Sequence, residues 1–179
     1  MDNQHDKVYS LYKVDKTFMR DSINHIQNPY EGEIIYFSPW SKTFFLKLIV
    51  IGEKINLLKV LLLSFYELLT RKKNKKIEIT AYCLNKQILS YLICQDIIYH
   101  LPSIEEEGLE IGTAFTRQKY RGNGLYPHVI QSLIENKNSD IYMITKTSNI
   151  SSTKGIEKAG LTFEKYLSKN LNSYYPTYE

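Results

Sequence analysis

The stretch 118–133, QKYRGNGLYPHVIQSL, constrains the fold more than any other, because it runs a glycine-rich turn directly into an amphipathic helix. Leu125, Val129, Ile130, Leu133 and Ile134 recur at helical spacing, so a helix starts immediately after Gly122-Asn123-Gly124. Pro127 falls in its first turn, where a missing N–H costs nothing because the first four donors of a helix have no internal partner. Those donors face outward, and the two glycines remove side chains that would hold an anion away from the main chain. Arg121 adds a permanent charge beside them. The pattern predicts an anion site suited to a pyrophosphate and built mainly from backbone amides. Asn-Gly is also a strong hairpin signal, but a returning strand would not carry the helical period that follows. Neither the triphosphate loop G-x-x-x-x-G-K-[ST] nor the dinucleotide fingerprint G-x-G-x-x-G is present.

Around this stretch, strands and helices alternate. Val8–Val14 reads as a strand, 16–26 as a polar helix and 33–38 as a second strand. Segments 77–84 and 87–94, both β-rich and joined by Asn85-Lys86, read as a hairpin. A strand over 108–115 precedes the glycines. After the helix from about 125 to 136 come a strand over 141–145, a short helix over 151–159 and a strand near 161–166. The order implies an α/β protein with a mixed sheet. No internal repeat or flexible linker interrupts the chain, and 179 residues suit one domain, 1–179. With 43% hydrophobic and 23% charged residues, the composition supports a core and excludes wholesale disorder.

The most apolar segment is 44–69, yet Lys47, Glu53, Lys54, Lys59 and Glu67 interrupt it, so it does not read as a membrane span. Within it, 55–71 reads as a largely apolar helix ending in the basic run RKKNKK, Arg71–Lys76. Such a helix is either buried in the core with a solvated basic end, or, over 55–76, in peripheral contact with an anionic membrane surface. The polar start MDNQHDKVYS lacks a secretory signal, which places the expectation in the cytoplasm. A net charge of +4 is too small to argue for nucleic acid. Cys83 and Cys94 are expected as free thiols, and His5, His25, His100 and His128 are scattered singly, so no metal site is expected. The sequon Asn149-Ile150-Ser151 carries no weight without a signal for secretion.

Residues 110–163 resemble the GNAT superfamily of acetyl-CoA-dependent N-acyltransferases. The signature [QR]-x-x-G-x-[GA] is met by Arg121, Gly122, Asn123, Gly124 and Leu125, with Tyr126 where Gly or Ala is usual. A second block, NISSTKGIEKAGLTF over 149–163, resembles N-x-x-S-x-x-x-x-x-K-x-G-F through Asn149, Ser152, Lys158 and Gly160. Capping alone accounts for part of that block, since Asn149 or Ser151 is a helix N-cap and Gly160 a C′ glycine. The run YRGNGLYP also resembles a bacterial subgroup associated with surface-polysaccharide biosynthesis. The resemblance implies a central mixed sheet of about six to seven strands flanked by helices, two strands splaying to form an acyl-CoA cleft. It implies that Ala114, Phe115 and Thr116 bond the pantetheine and that the pyrophosphate lies on residues 121–126. Asn149 and Ser152 would contact the pantetheine arm.

A protonated amine cannot attack, and a thiolate must be protonated as it leaves, so transfer needs a base and an acid. Glu110 lies on the strand where related enzymes place a carboxylate, and its other reading is a solvated or paired strand residue. Many relatives carry a tyrosine acid where Ile156 stands here, so another group serves, Tyr126 and Tyr142 being the candidates, or none does. A lone His128 inside the helix is expected to be structural. The expected function is transfer of acetyl from acetyl-CoA to a primary amine of a small molecule, such as an amino sugar of surface-glycan biosynthesis. Other acceptors are a peptide, polyamine or antibiotic amine, a polyamine being favoured by the acidic run Glu105-Glu106-Glu107. A different class is a non-catalytic acyl-CoA-binding or partner-binding module of the same fold. The sequence does not choose between a monomer and a homodimer.

Overall fold

The computed structural model describes residues 8–14, 25–37, 77–96, 108–170 and 173–177. The expected helices at 16–26 and 55–71 and the basic run at 71–76 lie outside these residues, apart from 25 and 26, which are not helical. The strands are β1 (Val8–Val14), β2 (Glu33–Phe37), β3 (Glu78–Leu84), β4 (Gln87–Asp96), β5 (Gly108–Thr116), β6 (Asp140–Lys146), β7 (Thr162–Asn170) and β8 (Ser173–Pro176). Among the described residues two α-helices accompany them, α1 (Leu125–Asn136) and α2 (Ile150–Lys158). All eight strands form one sheet in the order β2-β3-β4-β5-β6-β1-β7-β8. The count exceeds the expected six to seven because β8, four residues long, pairs with β7 at the edge.

Strand β3 returns as β4 through Asn85 and Lys86, both at positive φ (50° and 65°), the two-residue turn whose twist suits a hairpin. The first strand of the sequence lies deep in the sheet, antiparallel to β6 on one side and β7 on the other. Its residues Ser10, Leu11, Tyr12 and Val14 are all buried, as a strand covered on both faces requires. On one face, α1 packs Leu125, Val129, Ile130, Leu133 and Ile134 against Leu92, Cys94, Ile111, Ile141 and Met143, with Ile156 and Ala159 joining from α2. On the other face Ile79, Ala81, Ile88, Tyr91 and Ile93 form a second cluster, and Leu11, Tyr142 and Leu167 a third.

A strap over 25–32 binds α1 to β3. Ile26 donates its N–H to Gln131 Oε1 at 2.7 Å, and His128 Nδ1 lies 3.1 Å from the Ile26 carbonyl. The fully buried Tyr82 hydroxyl accepts the Gly32 N–H at 2.9 Å and contacts the Tyr30 carbonyl and Asn28 Oδ1. His128 thus has the structural place expected of it. Both cysteines are buried thiols. Among the described residues no helix is long and apolar enough to cross a membrane.

Candidate functional site

The sheet comes apart in one place. β5 and β6 are parallel, but their ladder has only four pairs, from Gly108↔Asp140 to Ile111↔Met143. Beyond Ile111, β5 stays with β4 as far as Thr116, while β6 stays with β1 as far as Lys146. The vertex coincides with a bulge: Ile93 faces Thr113 and Cys94 faces Ile111, so Gly112 is the extra residue. An extra residue turns one strand away from its neighbour, and the β6-side edge of 112–116 consequently has no strand partner across the gap.

The mouth of the gap is a cavity of about 600 Å³ lined from four segments. Ala114, Phe115 and Thr116 come from β5, and Tyr120, Arg121, Gly122 and Gly124 from the connection to α1. Leu125, Tyr126 and Pro127 are the first turn of α1, and Asn149, Ser151, Ser152, Lys154, Gly155 and Lys158 belong to α2 and its cap. The connection makes a 3₁₀ turn over Gln118–Tyr120, and Arg121 is then anchored when its Nε donates to the Thr116 carbonyl at 2.9 Å. Gly122 and Gly124 have φ of +80° and +78°, which side-chain-bearing residues rarely adopt. Gly124 is the N-cap of α1, and no side chain caps the helix, so its first amides remain open to the cavity. Among the described residues that line the cavity there is no Asp or Glu, whereas Arg121, Lys154 and Lys158 are there. Open amides, a helix N-terminus and three cations favour an anion.

α2 is set by its own cap: Asn149 Oδ1 accepts the Ser152 N–H at 3.3 Å and the Ser151 hydroxyl at 3.1 Å. Gly160, at φ +99°, closes the far end, with its N–H on the Glu157 carbonyl. The helices α1 and α2 meet through Tyr126. Its ring lies on Gly155 so closely that a Cβ there would stand 2.5 Å from Cδ1, and its hydroxyl is 3.3 Å from Ser152 Oγ. Burial pushes the Tyr126 phenol above its ordinary pKa, with the Ser152 bond opposing the shift.

Glu110 lies elsewhere. It faces Tyr142 across the last paired stretch of β5 and β6, and Gln95 across β4. Ile111 packs under α1, so alternation turns Glu110 to the opposite face of the sheet. Glu110 is 3% exposed, which removes the solvated half of the alternative reading and leaves that of a paired strand carboxylate. Its charge helps raise the Tyr174 phenol to about 12, behind burial and Tyr9, and Tyr174 of β8 packs against the cluster of Leu11, Tyr142 and Leu167. Tyr142 is 1% exposed on that face, packed on Gly108 with the Lys13 ammonium 5.4 Å from its ring centroid.

Ten of the expected site residues therefore surround one cleft: Ala114, Phe115, Thr116, Arg121, Gly122, Gly124, Leu125, Tyr126, Asn149 and Ser152. Asn123 stands in the same turn, outside the cavity lining, with its amide on the Arg121 carbonyl at 3.3 Å. Glu110 and Tyr126 are on opposite faces of the sheet. The sequence reading missed Tyr120, Ser151, Lys154, Gly155 and the inward place of Lys158. The last four fall at i, i+3, i+4 and i+7, one face of a helix, and that spacing was the available signal. Among the described residues no three His, Cys, Asp or Glu side chains are grouped to hold a metal.

No protein-family model matches the sequence, and no curated protein matches it. Solved structures do resemble it. A tandem GNAT protein from the clavulanic acid biosynthesis pathway superposes with a TM-score of 0.60 at 6% identity, over 88% of this chain and 50% of that one. A GNAT-family acetyltransferase from Colwellia psychrerythraea gives 0.52 at 13%, over 89% and 53%. An aminoglycoside acetyltransferase from an uncultured soil metagenomic sample, in complex with sisomicin, gives 0.50 at 11%, over 83% and 97%. The chain spans about half the length of the first two. At such identities the likeness is one of fold: the chain has the GNAT fold, a mixed sheet opened between two parallel strands with helices at the opening.

Proposed function

We propose that the chain is an N-acetyltransferase that moves an acetyl group from acetyl-CoA directly to a primary amine of a small molecule. The observation that carries this reading is the coincidence of the β5/β6 parting with an uncapped helix N-terminus, in a cleft lined by cations and free of carboxylates. The residues fit the donor: the amides after Gly122 and the Arg121 guanidinium would hold the diphosphate, and the open edge 112–116 would hold the amides of the pantetheine arm. The bound thioester supplies the activated acyl group. We assign the proton of the incoming ammonium to Glu110, two residues before the bulge and on the face of the sheet opposite α1, which would take it directly or through one water. We assign the proton donor for the departing sulfur to the Tyr126 hydroxyl, whose phenol burial raises above its ordinary pKa; a Tyr126→Phe protein with undiminished turnover refutes that role. An amide N–H at the bulge, fixed by the ladder to β4, would face the carbonyl oxygen where charge develops. The aminoglycoside-modifying neighbour supports a small-molecule amine acceptor, and the Tyr-Pro pair after the glycines supports an amino sugar.

A second reading is a non-catalytic acyl-CoA-binding module. It is favoured by Ile156, fully buried in the core where many relatives carry a tyrosine. Calorimetric titration of acetyl-CoA followed by thiol release with a panel of amines separates the two. Comparing Gly124→Gln with Gly124→Glu isolates the charge, since both strain the same φ of +78°. The cradle predicts that Glu abolishes binding and Gln only weakens it. Equal affinity in the two variants refutes the site, and binding without amine-dependent thiol release selects the module.

A further inference from the structure

Gly112, the extra residue of the β5 bulge, is the one described glycine whose place in the fold does not require a glycine. Every other described glycine either has a positive φ or has a neighbour that would stand 2.5 Å from an added Cβ. Gly112 has neither constraint: its φ is not positive, and a Cβ there would meet nothing closer than 3.5 Å. A bulge needs glycine only in the form that takes a left-handed φ. A glycine inside a strand otherwise weakens it, and it marks a place where a ligand or another backbone comes close. What the missing side chain leaves room for is set by its surroundings. The atoms nearest the empty Cβ position are Gln95 Nε2 and Cδ, at 3.5 and 3.9 Å, and Glu110 Oε1, at 3.9 Å. Gln95 and Glu110 face each other across β4 and β5, so carboxamide and carboxylate share the face away from α1, at the vertex where β5 leaves β6. Gly112 is exposed, whereas Gln95 and Glu110 are 9% and 3% exposed, so two buried polar groups stand beside an exposed stretch of backbone. A methyl group would fit the space at ordinary contact distance. An ammonium group is of nearly the same size and, unlike a methyl, donates to a carboxylate and to a carboxamide oxygen.

We propose that the space left by the missing Gly112 side chain receives the amine nitrogen of the acceptor, with Gly112 deciding what fits there and Gln95 positioning the nitrogen beside Glu110. The inference rests on the reading of the chain as an N-acetyltransferase. The lined cavity lies on the side of α1 and α2, and the Gly112 space on the other face, so nitrogen and thioester meet across the bulge from opposite sides of the sheet. Because only the nitrogen enters this space, the subsite is indifferent to the body of the acceptor. Methylamine, the smallest primary amine, is therefore a sufficient probe.

The test follows thiol release from acetyl-CoA with methylamine as acceptor, beside calorimetric titration of acetyl-CoA and urea unfolding, on the full chain and on Gly112→Ala and Gln95→Met. Gly112→Ala fills the space, and a nitrogen displaced by about an ångström should lower methylamine-dependent release by about a hundredfold. Its affinity for acetyl-CoA should be unchanged and its urea midpoint no lower than the parent's, a combination that a merely structural glycine would not give. Gln95→Met keeps the length of the side chain without its hydrogen bonds and should lower kcat/KM for methylamine by about tenfold, with the KM for acetyl-CoA unchanged. Methylamine turnover at the parent's rate in Gly112→Ala overturns the proposal, and the parent's rate in Gln95→Met strikes Gln95 from it. An unaltered chain that acetylates a larger amine but not methylamine also overturns it, as does a loss in Gly112→Ala that comes with weaker acetyl-CoA binding or a lower midpoint. In those cases the acetyltransferase reading stands and the subsite alone falls; an unaltered chain that binds acetyl-CoA and releases thiol with no amine removes both.

Discussion

Replacing Gly155 by alanine tests the packing at the centre of the cleft. In an exposed helix the exchange stabilises, because glycine costs about 1 kcal/mol relative to alanine in a helix interior. Here the new methyl would stand 2.5 Å from Tyr126 Cδ1 and 2.7 Å from Cε1, inside van der Waals contact, and the ring is fixed at its far end by the 3.3 Å contact of its hydroxyl with Ser152 Oγ. Forcing a methyl into a packed site costs about 1–3 kcal/mol. The clash wins over the propensity gain by about 1 kcal/mol, and Gly155→Ala should be destabilised by roughly that amount in urea unfolding. The displaced ring also loses its contact with Ser152, 3.3 Å in the native state, so acetyl-CoA turnover should fall further than stability does. The sign reverses once the ring is gone. In a Tyr126→Ala background the same change should stabilise by about 1 kcal/mol, which makes the coupling between the two positions about 2 kcal/mol. A Gly155→Ala protein more stable than the parent, with Tyr126 present, would show that the ring does not lie on α2.

Three further expectations follow from single contacts. Asn149→Ala removes the cap on the Ser152 amide and should cost about 1 kcal/mol, whereas Asn149→Asp keeps the cap and stability but puts a carboxylate in an acid-free cleft, so acetyl-CoA binding should weaken; unchanged affinity in the aspartate variant would leave Asn149 a cap and nothing more. Tyr82→Phe removes the hydroxyl that accepts from the Gly32 amide and contacts the Tyr30 carbonyl and Asn28, while the Gly32 N–H keeps the Tyr30 carbonyl at 2.8 Å, so the change should cost about 1 kcal/mol; an unchanged melt would show that the strap does not depend on the hydroxyl. The Tyr174 phenol is raised to about 12, so its neutral form is favoured by folding: the stability it contributes is present below pH about 10, the unfolded value, and is lost as pH rises from there through 12. Tyr174→Phe should therefore move alkaline unfolding, followed by circular dichroism, to higher pH, and no movement would remove Tyr174 from the cause.

Much of this arrangement was written locally. The helical period after Gly124, the Asn85-Lys86 turn, the Asn149 cap and the Gly160 terminus each depend on a few consecutive residues, and each stands in the structure where the pattern put it. The expected cofactor residues lay within two short blocks, so most of them could be named before their neighbours were known. Glu110 could be placed on a strand by its neighbours, but its face and its burial could not, because both depend on what pairs with β5 on either side.

What the sequence determined alone is therefore most of the described elements, β8 aside, and the backbone geometry of the glycine turn, since period, φ preference and capping are properties of neighbouring residues. Only the tertiary structure decided that the first strand closes between β6 and β7, that β5 and β6 part after Ile111, and that Lys158 hangs over Gly124. Those outcomes follow from which strands pair and how closely two helices pack, and such choices are made by the summed burial of residues far apart in the chain rather than by any one segment.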